Sequence, residues 1–157
     1  KIKAAGGKVD GVGIQAHWRL ESPSLEVIEN SILEYSKLGL KIAFTELDIT
    51  VLPNPWDLKG ADVNQNFEGS AKMNPYPKTL PDSIQNKLAD RYASIFKLFL
   101  KHKDKISRVT FWGVHDEQSW LNGWPIKGRT NYPLLFDTRL NHKKAYDSVM
   151  ELKNVKK

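Results

Sequence analysis

Two stretches of this chain carry mostly apolar residues without a helical period. Residues 12–18 read VGIQAHW and residues 41–49 read KIAFTELDI, a pattern that predicts two strands. Ser22 is expected to cap a helix between them, with Pro23 at its first position and Gly39 at its end. Apolar residues recur there at spacings of three, four and three, which predicts one buried helix face. These residues are Leu25, Ile28, Ile32 and Tyr35.

A second helix and a third strand are predicted beyond a long loop. Residues 50–81 are rich in Pro, Gly and Asn and show no clean period, which is typical of a long loop that is either functional or disordered. Residues 82–102 have a helical period. The expected buried face of this helix consists of Leu88, Tyr92, Ile95 and Phe99. The remaining predicted elements are a strand at 108–114, an aromatic-rich loop at 115–140, and a short helix that Asn141 caps and that ends near Lys153.

The predicted order is strand, loop, helix, three times over, with long loops after the strands and short connections after the helices. That asymmetry is typical of (β/α) barrels, whose active sites lie on the loops at the carboxyl ends of the strands. Three strands cannot close a barrel of eight, which takes about 250 residues. The fold class is therefore α/β, either a small open three-layer domain or part of a TIM barrel. The start, KIKAAGGKVDG, has no Met and no signal peptide, and we take this as favouring part of a barrel.

Composition excludes several kinds of site. The 157 residues contain no Cys, so disulfides, thiolate nucleophiles and Cys-ligated zinc are excluded. The net charge is +6, but the basic residues are scattered, with a modest excess at the two ends. A nucleic-acid partner is therefore not expected. No apolar run approaches the roughly 18 residues of a membrane span.

Two carboxylates lie within the second predicted strand. Because strand side chains alternate between faces, Glu46 and Asp48 are expected to share one face with Phe44 and to point into the barrel. Gln15 and His17 share a face of the neighbouring strand. Helices are expected to cover the opposite face of the second strand, which carries Ala43, Thr45, Leu47 and Ile49. No Lys or Arg shares the carboxylate face in either strand, and burial of an unpaired carboxylate costs several kcal/mol.

Three interpretations of these groups imply different chemistry. A buried salt bridge or a loop cap would be structural. One His with two carboxylates has ligand types that suit a divalent cation, but only His17 lies on this face, so no metal is expected. Glycoside hydrolysis with retention needs two carboxyl groups about 5 Å apart, and aromatic platforms for sugar rings. Candidate platforms at or after the third strand are Trp112, which shares a face with Thr110, and Trp120, Trp124 and Tyr132, whereas Trp18 is expected in the core.

Five motifs resemble, in order and spacing, the carboxyl-terminal part of glycoside hydrolase family 10. They are GVGIQAHW, FTELDIT, TFWGVHDEQSWL, YPLLFD and NHKKAY, and the match runs from residue 1 to about residue 152. The resemblance implies a retaining endo-β-1,4-xylanase with a TIM (β/α)8 barrel. Residues 1–157 would then be a partial catalytic domain that supplies strands 6–8 and their helices.

The resemblance also implies a role for each candidate side chain. Glu46 would be the catalytic nucleophile, His17 would hydrogen-bond to its carboxylate, and Asp48 would orient His17. Gln15 would face the sugar and the partner acid. The indoles that would wall the subsite of the sugar under attack are Trp112 and Trp120.

One element of the family pattern is missing. The family's acid/base glutamate lies in an Asn-Glu dipeptide after the fourth strand, and this sequence has no Asn-Glu. Glu68 and Glu117 are loop glutamates, but no spacing argument puts either opposite Glu46. The chain is therefore expected to be inactive alone and to need an amino-terminal complement that carries the acid.

The expected ligands are xylan or xylo-oligosaccharides, with no cofactor. A secreted, periplasmic or cell-surface location is expected because a polymeric substrate cannot enter a cell. The alternative function is that of a non-catalytic fragment that binds xylan or another glycan.

Overall fold

The computed structural model describes residues 1–55, 64 and 67–154, so part of the predicted loop at 50–81 lies outside the described residues. The strands are β1 (Gly11–Ile14), β2 (His17–Arg19), β3 (Lys41–Thr50) and β4 (Ile106–Phe111). The helices are α1 (Leu25–Lys37), α2 (Asp82–Lys101) and α3 (Lys144–Glu151). Short 3₁₀ turns are Lys3–Ala5, Ala71–Met73, Asp116–Gln118, Trp120–Asn122 and Leu152–Asn154. None of the described helices is both long and apolar enough to cross a membrane.

All described strands pair in parallel around β3. β1 and then β2 pair along one edge of β3, and β4 pairs along its other edge. Parallel pairs need crossover connections, which α1 and α2 supply. No described strand pairs with the outer edge of β1, β2 or β4, so the sheet is open at both sides.

The centre of the apolar face of the first helix is buried as its periodicity predicts, but its N-cap residue differs from the predicted one. Ile28 and Ile32 are buried against the sheet, whereas Leu25 and Tyr35 lie at the margins of this face and are partly exposed. The prediction of Ser22 as the N-cap is wrong: the side chain of Ser24 accepts a hydrogen bond from the Val27 amide at 3.2 Å. The chain leaves α1 as expected through Gly39, whose φ of +70° suits a residue without a Cβ.

The second helix matches its predicted bounds within one residue, and all four residues of its predicted face are buried. Tyr92 is completely buried, and its hydroxyl donates to the Pro133 carbonyl at 2.6 Å. This bond satisfies the one polar atom of the ring inside the core.

Two predictions near the carboxyl terminus need correction. β4 ends at Phe111 rather than Val114, because the chain turns at Gly113, where φ is +137° and an added Cβ would lie 2.8 Å from Leu134 Cδ1. Asn141 does not cap α3. Its side-chain amide donates to Asp137 Oδ2 at 3.0 Å, so it completes a turn before the helix.

The first predicted strand is two strands. β1 ends at Ile14 and β2 begins at His17, because Ala16 between them has a φ of +71°. A residue with a Cβ adopts this left-handed conformation at a cost of roughly 1–2 kcal/mol. The break changes the direction of the strand just before His17.

The central strand contains a β-bulge. From Phe44 to Leu47, β3 advances three residues while its partner β4 advances two, from Val109 to Phe111. β1 and β2 likewise advance one residue fewer than β3 along the same stretch. An extra residue in one strand locally breaks the alternation of side chains.

The bulge overturns the predicted placement of Phe44. Its ring stacks on Phe99 of α2 at a centroid distance of 4.2 Å and meets Trp18 edge-on at 5.7 Å. Phe44 therefore lies on the helix-covered side, in the same core as Leu47 and Ile49, and not beside Glu46. Trp18 is in this core, as predicted. The prediction that Ala43 and Thr45 lie on this helix-covered side is also wrong: they flank Phe44 in the strand, so they face the opposite way, and they are only partly buried.

Candidate active site

An imidazole bridges two carboxylates at the carboxyl end of the sheet. His17 on β2 lies directly beside Asp48 on β3. Its Nδ1 is 3.0 Å from Asp48 Oδ1, and its Nε2 is 3.2 Å from Glu46 Oε2. The predicted hydrogen bonds from His17 to both acids are therefore present, because the two-residue spacing of Glu46 and Asp48 puts both side chains on one face of β3.

The two carboxylates differ in their access to solvent. The Asp48 side chain is 1% exposed, that of His17 is 13% exposed, and that of Glu46 is 23% exposed. Within the described part of the chain, neither carboxylate pairs with a Lys or Arg. Asp48 is thus an internal partner of the ring, while Glu46 is the carboxylate that solvent can reach.

The environment of His17 favours its charged form. Burial alone would lower its pKa, but the hydrogen bond and charge of Asp48, followed by those of Glu46, outweigh burial and raise the pKa. An imidazolium is the counter-charge that two close carboxylates require.

The raised pKa of His17 predicts a stability that depends on pH. The folded protein holds this proton above the ordinary pKa of about 6.5. The resulting stabilisation is complete below that value and is lost as pH rises through the folded pKa. We expect the stability advantage of the wild type over His17→Gln to shrink as pH rises above about 6.5, as measured by urea unfolding. An advantage that grows over this range would contradict the assignment.

Two indoles lie against the imidazole, and a third stacks on one of them. Trp120 Nε1 donates to Asp48 Oδ2 at 2.8 Å, and its ring centroid lies 4.8 Å from that of His17. Trp124 stacks on Trp120 at 4.6 Å. Trp112 meets His17 edge-on at 6.5 Å and is 48% exposed. An exposed indole face beside a polar group is suited to the C–H face of a sugar ring.

Loss of the Trp120 indole nitrogen should destabilise the site measurably. In Trp120→Phe, the buried Asp48 Oδ2 loses this donor, and an unsatisfied buried acceptor costs about 1–3 kcal/mol. The free energy of unfolding in urea measures this loss. Trp112→Phe is the matched control, because its half-exposed ring has no such bond; its effect should be below about 0.5 kcal/mol. Equal effects of the two variants would contradict a special role for the Trp120 N–H.

The remaining sequence candidates lie in or near an open cleft. This cleft has a volume of about 420 Å³, and both Gln15 and His17 line it. The Gln15 side chain is exposed, and its backbone carbonyl accepts from the Glu46 amide at 2.9 Å. Tyr132 differs from the predicted platform: its hydroxyl donates to the Tyr76 carbonyl at 2.8 Å. Its ring packs against the core, so it supports a loop instead.

The site region also contains a buried ion pair that the sequence does not signal. Lys143 Nζ lies 2.8 Å from Asp116 Oδ2 and 2.8 Å from the Tyr132 carbonyl. The other carboxylate oxygen of Asp116 accepts from the Leu134 amide at 2.9 Å. Burial raises the pKa of Asp116 and lowers the pKa of Lys143, and each charge opposes the shift of the other. Both residues lie in quoted motifs, HDEQSW and NHKKAY, but nothing in their spacing signals the pair.

A second missed group ties the loops together. The buried Arg129 donates to the carbonyls of Pro53 at 2.8 Å and Trp124 at 3.3 Å. The buried Asn131 accepts from the Val51 amide and donates to Thr50 Oγ1 at 2.7 Å. These bonds join the loop after β3 to the loop after β4, beside the cleft. Arg and Asn in loops are too common for sequence to single them out.

The metal interpretation has no geometric support in the part of the chain that the structure describes. No group of three or more His, Asp or Glu side chains in that part is arranged to hold an ion. Both ring nitrogens of His17 face carboxylate oxygens instead. Glu68 and Glu117 are exposed, and no hydrogen bond between described residues joins either side chain to this site.

Comparisons with known proteins agree with the predicted resemblance. The family model of Glycosyl hydrolase family 10 matches residues 1–152. Endo-1,4-beta-xylanase A of Xylanibacter ruminicola is 43% identical over 152 residues, which are 97% of this chain and 41% of that protein. Beta-1,4-xylanase of Dictyoglomus thermophilum is 35% identical over 151 residues, 96% of this chain and 38% of that protein. The chain thus spans about two fifths of the length of these relatives.

Solved structures show the same relationship in three dimensions. A family 10 endoxylanase retrieved from a sugarcane soil metagenome superposes with a TM-score of 0.91 at 47% identity, covering 96% of this chain and 44% of that one. A family 10 xylanase of Thermobacillus composti gives 0.77 at 34% identity, covering 95% and 44%. A mutant enzyme in complex with xylotriose gives 0.76 at 31% identity, covering 95% and 41%. The predicted fold class, the carboxyl-terminal part of a TIM barrel, is confirmed, and the chain belongs to glycoside hydrolase family 10.

Proposed function

We propose that this chain supplies the nucleophile side of a retaining endo-1,4-β-xylanase active site. The observation that carries the proposal is the Glu46–His17–Asp48 arrangement, in which only the outermost carboxylate is accessible. Glu46 is the nucleophile, His17 holds its carboxylate in place by a hydrogen bond, and Asp48 fixes the ring of His17. Residues 1–157 are then part of a single catalytic domain.

The reaction consists of two displacements at one anomeric carbon. A Glu46 oxygen attacks this carbon, the glycosidic C–O bond breaks, and a carboxylic acid on the opposite side protonates the leaving oxygen. The same acid, now a base, takes a proton from water as the water opens the glycosyl ester. Two inversions give net retention, and no cofactor takes part.

The acid/base carboxyl is proposed to come from residues outside this chain. A retaining pair needs its carboxyl groups about 5–5.5 Å apart with the sugar between them. Asp48 cannot serve, because it is buried and bonded to His17 and Trp120. Support for an amino-terminal complement comes from the open edges of the sheet and from the relatives, which are more than twice as long.

The indoles and Gln15 are proposed to contact the sugar. The exposed face of Trp112 and the ring of Trp120 flank His17, so a xylose ring could lie between them above Glu46. The exposed Gln15 amide can bond to a sugar hydroxyl. The substrate is xylan or a xylo-oligosaccharide, and such a polymer places the reaction outside the cytoplasm.

Complementation tests this proposal. The chain would be combined with the amino-terminal part of the Xylanibacter ruminicola xylanase, either co-expressed or fused upstream, and assayed for release of reducing ends from xylan. We expect activity only in the combination, with retention visible in the anomeric NMR signals of the first products. No activity in any combination, together with xylo-oligosaccharide binding by this chain alone, would favour the alternative of a non-catalytic glycan-binding fragment.

A further inference from the structure

The face of the sheet opposite the described helices carries a charged residue of β4. Val109 and Phe111 pack against the core that α2 covers. Arg108 and Thr110 alternate with them and therefore lie on the opposite face. In a (β/α) barrel this opposite face points to the interior, because the helices form the outer ring. Arg108 is exposed in this chain, but it occupies a position that closure of the barrel would bury.

Arg108 lies in a layer of very small side chains. Its Cα is paired with Ala43 of β3, and Ala43 is paired in turn with Gly13 of β1. A Cβ on Gly13 would lie 3.1 Å from Thr45 Cγ2, so Gly13 and Thr45 use the same inner face. Neither a glycine nor a methyl group can cover a guanidinium. Across the three described strands of this layer, Arg108 therefore extends into open space on the inner face.

No acidic residue of the described strands compensates this charge. The acids in these strands are Glu46 and Asp48, and both bond to His17. They lie toward the carboxyl end of the sheet, whereas Arg108 precedes Trp112 by four residues, about 13 Å at the rise of a parallel strand. None of the ion pairs between described residues includes Arg108. The counter-charge for a closed barrel must therefore come from elsewhere.

The chemistry of that counter-charge follows from the guanidinium. Arg stays charged when it is buried, and an unpaired buried cation is strongly unfavourable. A carboxylate accepts two parallel N–H donors from Arg and supplies the opposite charge. A second copy of this chain does not meet the need, because its inner face would present another Arg108 and each copy has a net charge of +6. The relatives are more than twice as long, so their additional residues can provide the acid.

We propose that Arg108 is an assembly anchor inside the barrel, and that it pairs with an Asp or Glu on an inward-facing strand position of the amino-terminal complement. This inference rests on the proposed function, because that function requires the complement. It assigns a charge to the surface that the complement presents to this chain. The pair would lie below Trp112 and away from the sugar, so it acts on assembly of the two parts and not on the reaction.

The test measures the stability of Arg108→Gln in two forms of the protein. One form is the isolated chain, and the other is the chain fused downstream of the amino-terminal part of the Xylanibacter ruminicola xylanase. We expect urea unfolding of the isolated chain to be unchanged, because the side chain is exposed there. In the fused protein we expect the unfolding equilibrium constant to rise about 100-fold or more, because a buried carboxylate loses its partner. A loss confined to the fused form separates an interface pair from a defect of the chain itself.

Lys97→Gln is the matched control. It removes the same charge from an exposed position on α2, and it should leave the stability of both forms unchanged. Inward-facing acids of the amino-terminal part would also be neutralised one at a time. One of these changes should restore stability to Arg108→Gln, since it removes the unpaired charge.

Two outcomes would overturn the inference. They are equal effects of Arg108→Gln and Lys97→Gln in the fused protein, and the absence of any acid whose neutralisation restores stability to Arg108→Gln. A fused protein that Arg108 stabilises but that does not hydrolyse xylan would instead count against the proposed function and leave the anchor standing.

Discussion

Glu46→Gln is expected to lower xylan hydrolysis by the complemented enzyme by about 10⁴-fold or more, as loss of a covalent nucleophile does. An amide cannot form the glycosyl ester, yet it has the shape of the acid and can still accept a bond from His17. The free energy of unfolding should therefore change by less than about 1 kcal/mol. Initial rates on xylan and urea unfolding of the same preparations measure both quantities.

Glu117→Gln provides the control for this variant. It makes the same change at an exposed loop glutamate beyond β4, and we expect full activity. A fluorinated xylobioside that forms a slow-reacting ester should label the peptide that carries Glu46 and no other. If Glu46→Gln kept most of the wild-type rate, or if the label lay elsewhere, Glu46 would not be the nucleophile.

Lys143→Met is expected to destabilise the fold by about 3–5 kcal/mol, the usual cost of removing one partner of a buried ion pair. The Asp116 carboxylate would stay buried without its counter-charge, and the Tyr132 carbonyl would lose a donor. Both effects fall on the segment that carries Trp120, so the indole site should loosen with the fold. Urea unfolding of the isolated chain measures the loss.

Lys144→Met is the neighbouring control. This side chain is half exposed and lies 3.4 Å from Asp82 on the surface, so its loss should cost less than about 0.5 kcal/mol. Adding Asp116→Leu to Lys143→Met removes the unpaired charge and should restore part of the stability. Equal losses in the two single variants, or no recovery in the double variant, would show that the pair is not a buried electrostatic unit.

Helix periodicity was the most informative sequence signal. The centres of the apolar faces of α1 and α2 are buried as predicted, because 3.6-residue spacing directly reports which side of a helix meets the sheet. The caps were less predictable. Ser22 and Ser24 are both suitable N-cap residues, and only the path of the chain after β2 decides between them. Asn141 was likewise available to cap α3, but it bonds to Asp137 instead.

Strand alternation correctly predicted the two carboxylates that bond to His17, but the alternation does not continue along the whole strand. Glu46 and Asp48 do share a face, as their two-residue spacing predicts, but Phe44 does not. A bulge has no reliable sequence signature, because it depends on both neighbouring strands. The Asp116–Lys143 pair could not be predicted from the sequence for a related reason. Its two residues are 27 positions apart, and only the tertiary fold brings them into contact.

The extra residue in the central strand also matters for protein design. If the TELD sequence were placed on an idealised, evenly pleated strand, the side chains would alternate between the faces without a break from Phe44 to Leu47. Phe44 and Leu47 would then lie on opposite faces of the strand. Either a hydrophobic side chain or the Glu46 carboxylate would then be on the wrong side of the sheet. A transplant of this proposed catalytic element must therefore copy the bulge together with the residues.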